Sequence, residues 1–476
     1  MPASAAPATP REARTRLATL RELGAAPWVV AALATTAYLV LSTLQWRAFE
    51  SPSWDLGIFT QILQRYAALE APIVHIKGAD YNIMGDHFHP ILVLLAPVFA
   101  VAPSAYTLMV VQAILLGVSA FFVAASARHL VGRVGGWLVG LAYAFSWGVQ
   151  EAARVQFHEV AVGAPILAIG LWCLVRERFV AATVWFGLLV FVKEDLGATV
   201  AVLGVLVAWR SGRWLLGLGL TAWGALWFVL ALRVILPAFN LRGQYDYAGH
   251  LDLGAVLADP GGTLVEILTN EQKMATLGLL LACTGLLALR SNLALALLPT
   301  LGWRFLSSLA GHWGPTWHYS LMLMPIAFVA AAEGIRLLSG AQNPFLRGWG
   351  RSGPAILLTF ALAVLPQLPL WQLTKASTWQ VDGPRQRAAA ELVARIPSGS
   401  VVASDISLMN QLVDRADVYF IANEGNPTPD HVVVDNRGGG WSARVDGVQH
   451  ATTLWPGTQW RAVFEAQDYQ LVERVG

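Results

Sequence analysis

Asp55 stands at the head of an amphipathic stretch, Trp54-Asp55-Leu56-Gly57-Ile58-Phe59-Thr60-Gln61, shortly after an apolar run ends. With Leu56, Phe59, Ile62 and Leu63 on one face the stretch reads as a helix. Asp55 could cap that helix, act as a general base, or ligate a metal. Further on, Gly85-Asp86-His87-Phe88-His89-Pro90 sets an acid beside two imidazoles, a grouping able to bind a divalent ion, relay a proton or hold a phosphate. A polar turn before an interfacial helix is the plainer alternative, and His75 and Lys77 add positive charge nearby. Arg154, a natural phosphate fork, shortly precedes the pair His158-Glu159. Lys193-Glu194-Asp195 puts three ionisable groups inside an apolar hairpin. Facing lipid they would cost several kcal/mol, so they line a protein cavity or neutralise one another across a tight turn. Arg304, His312, Trp313, Trp317, His318 and Tyr319 form either an interfacial aromatic belt or one wall of a pocket.

The elements that must position these groups are apolar. Of the 476 residues 56% are hydrophobic and 13% charged, about half the charge of a soluble domain. Such a chain cannot hide its apolar surface in water; it is an α-helical polytopic membrane protein. Apolar runs at 27–46, 105–127, 134–150, 159–176, 179–193, 195–209, 213–236, 274–290, 291–306, 318–338 and 353–371 predict about 11 transmembrane helices. Residues 88–103, interrupted by Pro90, Pro97 and Pro103, read as an interfacial or re-entrant piece. On this threading fourteen basic and four acidic residues fall on one side, among them Arg11, Arg14, Arg16 and Arg21. Lys and Arg collect on the cytoplasmic side, so the N-terminus is expected inside and the C-terminus outside, with the first span a retained signal-anchor. The expected organisation is a cytoplasmic segment 1–26, a transmembrane domain 27–374 whose first outer loop is 47–104, and an extracytoplasmic domain 375–476.

That last segment carries 21 of the 62 charged residues. It predicts a small α/β domain, with a helix over 385–396, short strands at 400–403, 417–421 and 430–435, a helix at 406–413 and a final hairpin pairing 459–465 with 468–474. Its expected role is to bind acceptor, partner or glycan. The net charge of +2 with scattered Arg argues against a nucleic-acid partner. Cys173 and Cys283 lie in apolar runs and offer no disulfide framework. No GxxxxGK[ST] is present, which disfavours an ATP-driven pump. The twenty Trp serve as interfacial anchors or as stacking platforms for sugars.

Taken together, Trp54 to Gln61, Gly85-Asp86-His87-Phe88-His89-Pro90-Ile91-Leu92, Phe157-His158-Glu159, Lys193-Glu194-Asp195, His318-Tyr319 and the tail segment Ile396 to Ser404 resemble the DUF2079 family of predicted bacterial membrane proteins. That family is similar to the GT-C superfamily of polytopic glycosyltransferases, which includes protein mannosyltransferases, lipid A aminoarabinose transferase and mycobacterial arabinosyltransferases. The resemblance implies a GT-C-like fold in a bacterial plasma membrane. It also implies transfer of a sugar from a polyprenyl-phosphate donor to a cell-envelope glycan, lipid or protein. Asp55 matches the superfamily's acid in the first outer loop, a general base or orienting group for the acceptor hydroxyl, with Asp86 and Glu159 as further catalytic candidates. A cation among Arg154, Lys193 and Arg304 would neutralise the leaving phosphate. His87, His158, Glu194, Asp195, His318 and Tyr319 complete the expected substrate- and phosphate-binding set. Asp55 lacks the usual DxD or paired-acid signature, which puts a metal in doubt; His87 and His89 beside Asp86 are the ligands if a divalent ion is bound. The rival readings are a lipid or anionic-solute transporter or flippase, with Lys193, Glu194 and Asp195 as a charge relay, and a non-catalytic membrane assembly protein. A transporter would place ionisable groups near mid-membrane in two repeated halves, whereas here they gather on one side and no repeat is visible.

Overall fold

In an apolar medium each backbone N–H and C=O must find its partner within its own segment, and helices meet that demand. The computed structural model describes residues 23–475. The expected cytoplasmic segment therefore lies, as far as residue 22, outside the described residues. Among those described, five helical stretches are long and apolar enough to cross a membrane: Ala25–Arg47 (α1), Ala105–Arg154, Trp214–Phe239, His318–Ser339 and Pro344–Gln367. Shorter apolar helices, Val160–Val175 (α2), Phe179–Phe191 and Leu196–Ser211 (α3), pack between them. The amphipathic stretch is the helix Asp55–Ala67 (α4), which buries Leu56, Phe59, Ile62 and Leu63.

The apolar runs and the helices do not correspond one to one. Runs 105–127 and 134–150 belong to one helical stretch interrupted at Gly132, whose φ of 81° is non-helical. Where spans 274–290 and 291–306 are expected, the chain makes the helix Glu271–Cys283, 3-10 turns at Leu287–Arg290 and Asn292–Leu297, and the helix Leu298–Leu306. Left-handed Gly285 and Leu286 stop the first of these helices. Residues 90–101 form a 3-10 segment and a short helix with Leu94 and Val101 exposed, too short to cross.

Small residues let the helices approach closely. A Cβ on Gly197 of α3 would lie 2.7 Å from the Gly224 carbonyl oxygen, and one on Gly224 would lie 2.5 Å from that of Gly197, the close contact that membrane helices use in place of a hydrophobic driving force. α3 also separates two polar ends. Asp195 precedes its first turn. At its last turn Arg210 forms a two-toothed pair with Glu333, both contacts 2.7 Å, and also bonds Asn292, while Ser291 donates to the same carboxylate. Sixteen residues span about 24 Å, so the two ionic clusters sit at opposite ends of this helix.

The tail folds around a mixed five-stranded sheet: Val401–Ser404 (β1), Asp417–Phe420 (β2), His431–Asp435 (β3), Trp460–Ala466 (β4) and Tyr469–Arg474 (β5) in the order β2-β1-β3-β5-β4. β1 runs parallel to β2 and β3, whereas β5 is antiparallel to β3 and β4. The domain does not stand apart from the bundle. Gln61 and Gln64 of α4 donate to the carbonyls of Val418 and Val413 at 3.0 and 2.7 Å, and Asn423 donates to the Ile76 carbonyl at 2.7 Å. Asp414 accepts from the Ala105 N–H and the Ser104 hydroxyl, both at 2.7 Å, capping the helix that starts at Ala105. The first loop and the tail share one apolar core.

The loop that follows Phe239 is threaded against the first loop at a glycine. A Cβ on Gly85 would fall 2.6 Å from the backbone of Asn240, which cannot rotate away. Gly85→Ala is therefore expected to destabilise the protein by about 1–3 kcal/mol, read as a lower Tm of the detergent-solubilised protein. Gly219→Ala, with nothing within 4 Å, should leave Tm unchanged or slightly higher; equal Tm values for the two variants would contradict this packing.

Candidate functional site

Asp55 is the first residue of α4, not its cap: Trp54 occupies the cap position and its own side chain makes no capping hydrogen bond. The capping expectation fails because the Asp55 carboxylate turns toward the next loop, where its Oδ2 lies 3.4 Å from His158 Nε2. His158 is buried, and its Nδ1 lies 3.2 Å from the Gln156 carbonyl, which can only accept, so that nitrogen carries a proton. Nε2 faces the carboxylate and is buried with no other partner. His158 stacks on His318 with ring centres 3.8 Å apart, and Phe59 of α4 meets it edge-on. Burial works to raise the Asp55 pKa, but the hydrogen bond and charge of His158, with Ser53 and Lys77 beyond, hold it at about 2. Its side chain keeps 30% of its surface exposed while that of His158 keeps 4%, so the acid is the accessible member of the pair.

Two strained residues set this arrangement. Gln156 and Trp317 have φ of 69° and 70° without being glycine, a left-handed conformation that persists only where its surroundings enforce it. One lies two residues before His158 and the other immediately before His318, so each turn aims one of the stacked rings.

The other charges are partnered individually. Lys193 Nζ donates to Glu159 Oε1 at 2.6 Å. Glu194 accepts from His87 Nδ1 at 2.8 Å, the Phe88 N–H at 3.0 Å and the Tyr245 hydroxyl at 3.4 Å. Lys77 pairs with Asp86 at 3.2 Å and lies over the rings of Trp54 and Tyr81. Burial works to raise the Glu194 pKa and to lower that of Lys193, and in both the opposite charges win: Glu194 falls to about 2 and Lys193 is raised. Asp195, raised to about 6 by burial with Glu194 and Glu159 adding to it against Lys193, is the weakly compensated member.

Three expectations are corrected by these contacts. Asp86, His87 and His89 do not form one ligand set: Asp86 goes to Lys77, His87 to Glu194, and His89 is buried against Phe59 with Nδ1 unpartnered and its pKa lowered to about 4, chiefly by burial. Among the described residues no group of three or more His, Cys, Asp or Glu is gathered as a metal ion would require. Glu159, with a side chain 3% exposed, is the buried counter-ion of Lys193 and not an accessible acid. Arg304 is fully buried and spends its donors on the His312 and Gly314 carbonyls, both 2.8 Å, and the Ser320 hydroxyl at 3.0 Å. It clasps its own loop and, being fully buried, presents no exposed edge to a phosphate. Arg154, partly exposed, pairs with Glu151 and lies over the Trp317 ring.

Between these groups lies a cavity of about 20 Å³ lined by Lys193, Asp195, Trp303, His318 and Tyr319. Asp195 Oδ1, Trp303 Nε1 and His318 Nδ1 are buried without partners, and the space suits one water able to bond them. Asp55, His158 and His318 are thus in successive contact, and His318 lines the same cavity as Lys193, the partner of Glu159. Sequence reasoning misses Gln156, Tyr245, Tyr247 and Asn410. Tyr247 stacks on His87 at 5.2 Å from a loop that carries no motif, and a left-handed Gln has no sequence signature.

A family model described as predicted membrane protein (DUF2079) matches residues 46–470. Among solved structures, ArnT from Cupriavidus metallidurans bound to undecaprenyl phosphate is similar over 93% of this chain and 97% of its own, with 14% identity and a TM-score of 0.50. Its apo form covers the same shares at 12% identity and a TM-score of 0.47. The first of these shows an ArnT-like fold. No curated protein sequence matches the chain.

The His87–Glu194 pair makes a pH prediction. Glu194, held low, contributes fully above the ordinary carboxyl range and loses its contribution as pH falls toward 2. His87 is opposed by burial, but Glu194 raises its pKa, so its contribution is full below about 6.5 and is lost as pH rises through the raised value. Glu194→Gln should cost about 3 kcal/mol. The Tm difference from the parent should be largest near pH 6 and shrink on both sides; a difference flat from pH 3 to 9 would contradict the pairing.

Proposed function

From a chain that belongs to the DUF2079 family of predicted membrane proteins, we propose a glycosyltransferase that moves a sugar from a polyprenyl-phosphate donor to an acceptor at the face carrying the tail domain. The observation that carries this reading is the Asp55–His158 pair, an accessible carboxylate held against a buried imidazole in a fold that matches ArnT along 93% of the chain. Undecaprenyl phosphate is bound by that relative, and a polyprenyl phosphate is the donor class adopted here. Arg bias in the loops supports a bacterial plasma membrane with the N-terminus inside and the tail outside.

In the proposed reaction the acceptor hydroxyl donates a hydrogen bond to Asp55. Its oxygen bonds the anomeric carbon as the bond from that carbon to the phosphate oxygen breaks, and the lipid phosphate leaves with the electron pair. A carboxylate with a pKa near 2 orients the hydroxyl more than it deprotonates it at the outset. The proton passes late, once the attacking oxygen has become acidic by bonding an oxocarbenium-like carbon. Arg154 is the cation best placed for the departing phosphate, since Lys193 and Arg304 are committed to buried partners. Its charge would count most in the transition state, where the phosphate gains negative charge. The aromatic rings of Trp54 and Trp317 flank Asp55 and Arg154 respectively and offer faces or edges to a sugar.

Asp55→Asn keeps the size of the side chain and removes the acceptor charge. In a strain expressing it at the parental level, mass spectrometry of extracted lipids should show a polyprenyl-phosphate sugar accumulating and one envelope product lost. Unchanged lipid and envelope profiles would overturn the transferase reading.

A further inference from the structure

A residue outside both loops bonds the neighbours of Asp55 and of His158. Asn410, on the tail helix Ile406–Leu412 (α5), is fully buried and makes three hydrogen bonds across the domain boundary. Its Oδ1 accepts from the Gly57 N–H at 2.9 Å, and its Nδ2 donates to the Gln156 side-chain oxygen at 3.1 Å and to the Ser53 carbonyl at 3.3 Å. Ser53 and Gly57 bracket Asp55, and Gln156 is the left-handed residue whose own carbonyl holds His158 Nδ1. One amide thus grips both sides of the acid and the turn that aims the imidazole.

The surroundings allow no ready substitute. A Cβ on Gly57 would fall 2.7 Å from Ile76 and 3.2 Å from Asn410 Oδ1, so the approach depends on glycine. The remaining end of Gln156 donates to the Glu50 carbonyl at 2.8 Å, which leaves this side chain no freedom to follow a different partner. The bond from Gln64 to the Val413 carbonyl holds the tail in place without touching the neighbours of Asp55 or His158, whereas Phe420 packs edge-on against Trp54 with ring centres 5.2 Å apart.

We infer that Asn410 is a positioning residue: through Ser53, Gly57 and Gln156 it sets the spacing and orientation of the Asp55–His158 pair, which makes the tail domain a structural part of the site. The geometric claim stands without the transferase reading; its consequence for turnover rests on that reading.

The test uses the full-length protein with ¹⁵N-labelled histidine in lipid, His158 being assigned by its loss in His158→Gln. Asn410→Asp keeps shape and the acceptor but removes both donors; Asn410→Ser, too short to reach all three partners, serves if the first fails to fold. Either should shift the His158 ring nitrogen signals, whereas Gln64→Ala, which weakens the seam elsewhere, should lower Tm and leave them in place. In cells, turnover in the Asn410 variants should fall by about 100-fold, the cost of an ångström-scale misplacement. Unshifted His158 signals in a folded Asn410 variant, or equal shifts in Gln64→Ala, would overturn the inference. Shifted signals in a protein whose Asp55→Asn variant leaves the lipid profile unchanged would uphold positioning while removing the transferase reading.

Discussion

A charge carried into an apolar bundle must bring its counter-charge with it, and the site follows from that requirement. Desolvating a carboxylate or an ammonium costs several kcal/mol even after relaxation, and a single opposite charge in good geometry is the usual remedy. Lys193 with Glu159, His87 with Glu194 and Lys77 with Asp86 each meet it; the first two pairs join different segments, and the third lies within the first loop. The first loop is held to the turn before α3 through Glu194, and that turn to the head of α2 through Glu159. Pairing also divides the charges into those that hold the fold and those left over. Asp55, 30% exposed and paired with His158, and Arg154, 36% exposed and paired with Glu151, keep an edge to offer a ligand.

The same logic explains why the tail is folded against the bundle. α4 buries its apolar face in a core contributed jointly by the first loop and the tail. Its polar flank, Gln61 and Gln64, would be left unsatisfied without the carbonyls of Val418 and Val413. The helix carrying Asp55 is therefore completed by residues some 350 positions later. At the far end of α3 the Arg210–Glu333 pair does a comparable service for the bundle alone.

Much of this arrangement is legible in the sequence, and the failures have physical causes. The apolar excess, the charged tail and the short strands with a closing hairpin after residue 400 follow from composition and periodicity, because burial and pleating leave a period in the chain; the parallel pairing of the first three strands does not. The clusters at 86–89, 158–159 and 193–195 stand out because charge is scarce elsewhere. Pairing is not legible: nothing in Gly85-Asp86-His87-Phe88-His89 says that its three polar groups diverge to Lys77, Glu194 and an apolar pocket. Nor does a composition reading separate Arg304, satisfied by carbonyls, from Arg154. Asn410 is invisible for the opposite reason, being an ordinary helix residue whose importance lies wholly in three contacts distant in sequence. Span counting misleads where Gly285, Leu286 and the 3-10 turns break apolar runs.

The central claim is that the end of the bundle holding Asp55 is where a lipid phosphate is met. An experimental structure of the protein in lipid nanodiscs with undecaprenyl phosphate tests it most directly. The account predicts phosphate density within about 3.5 Å of the Arg154 guanidinium, on the face that exposes Asp55. Density confined to the opposite end, beside Arg210 and Glu333, or a phosphate separated from Asp55 by the bundle, would contradict it.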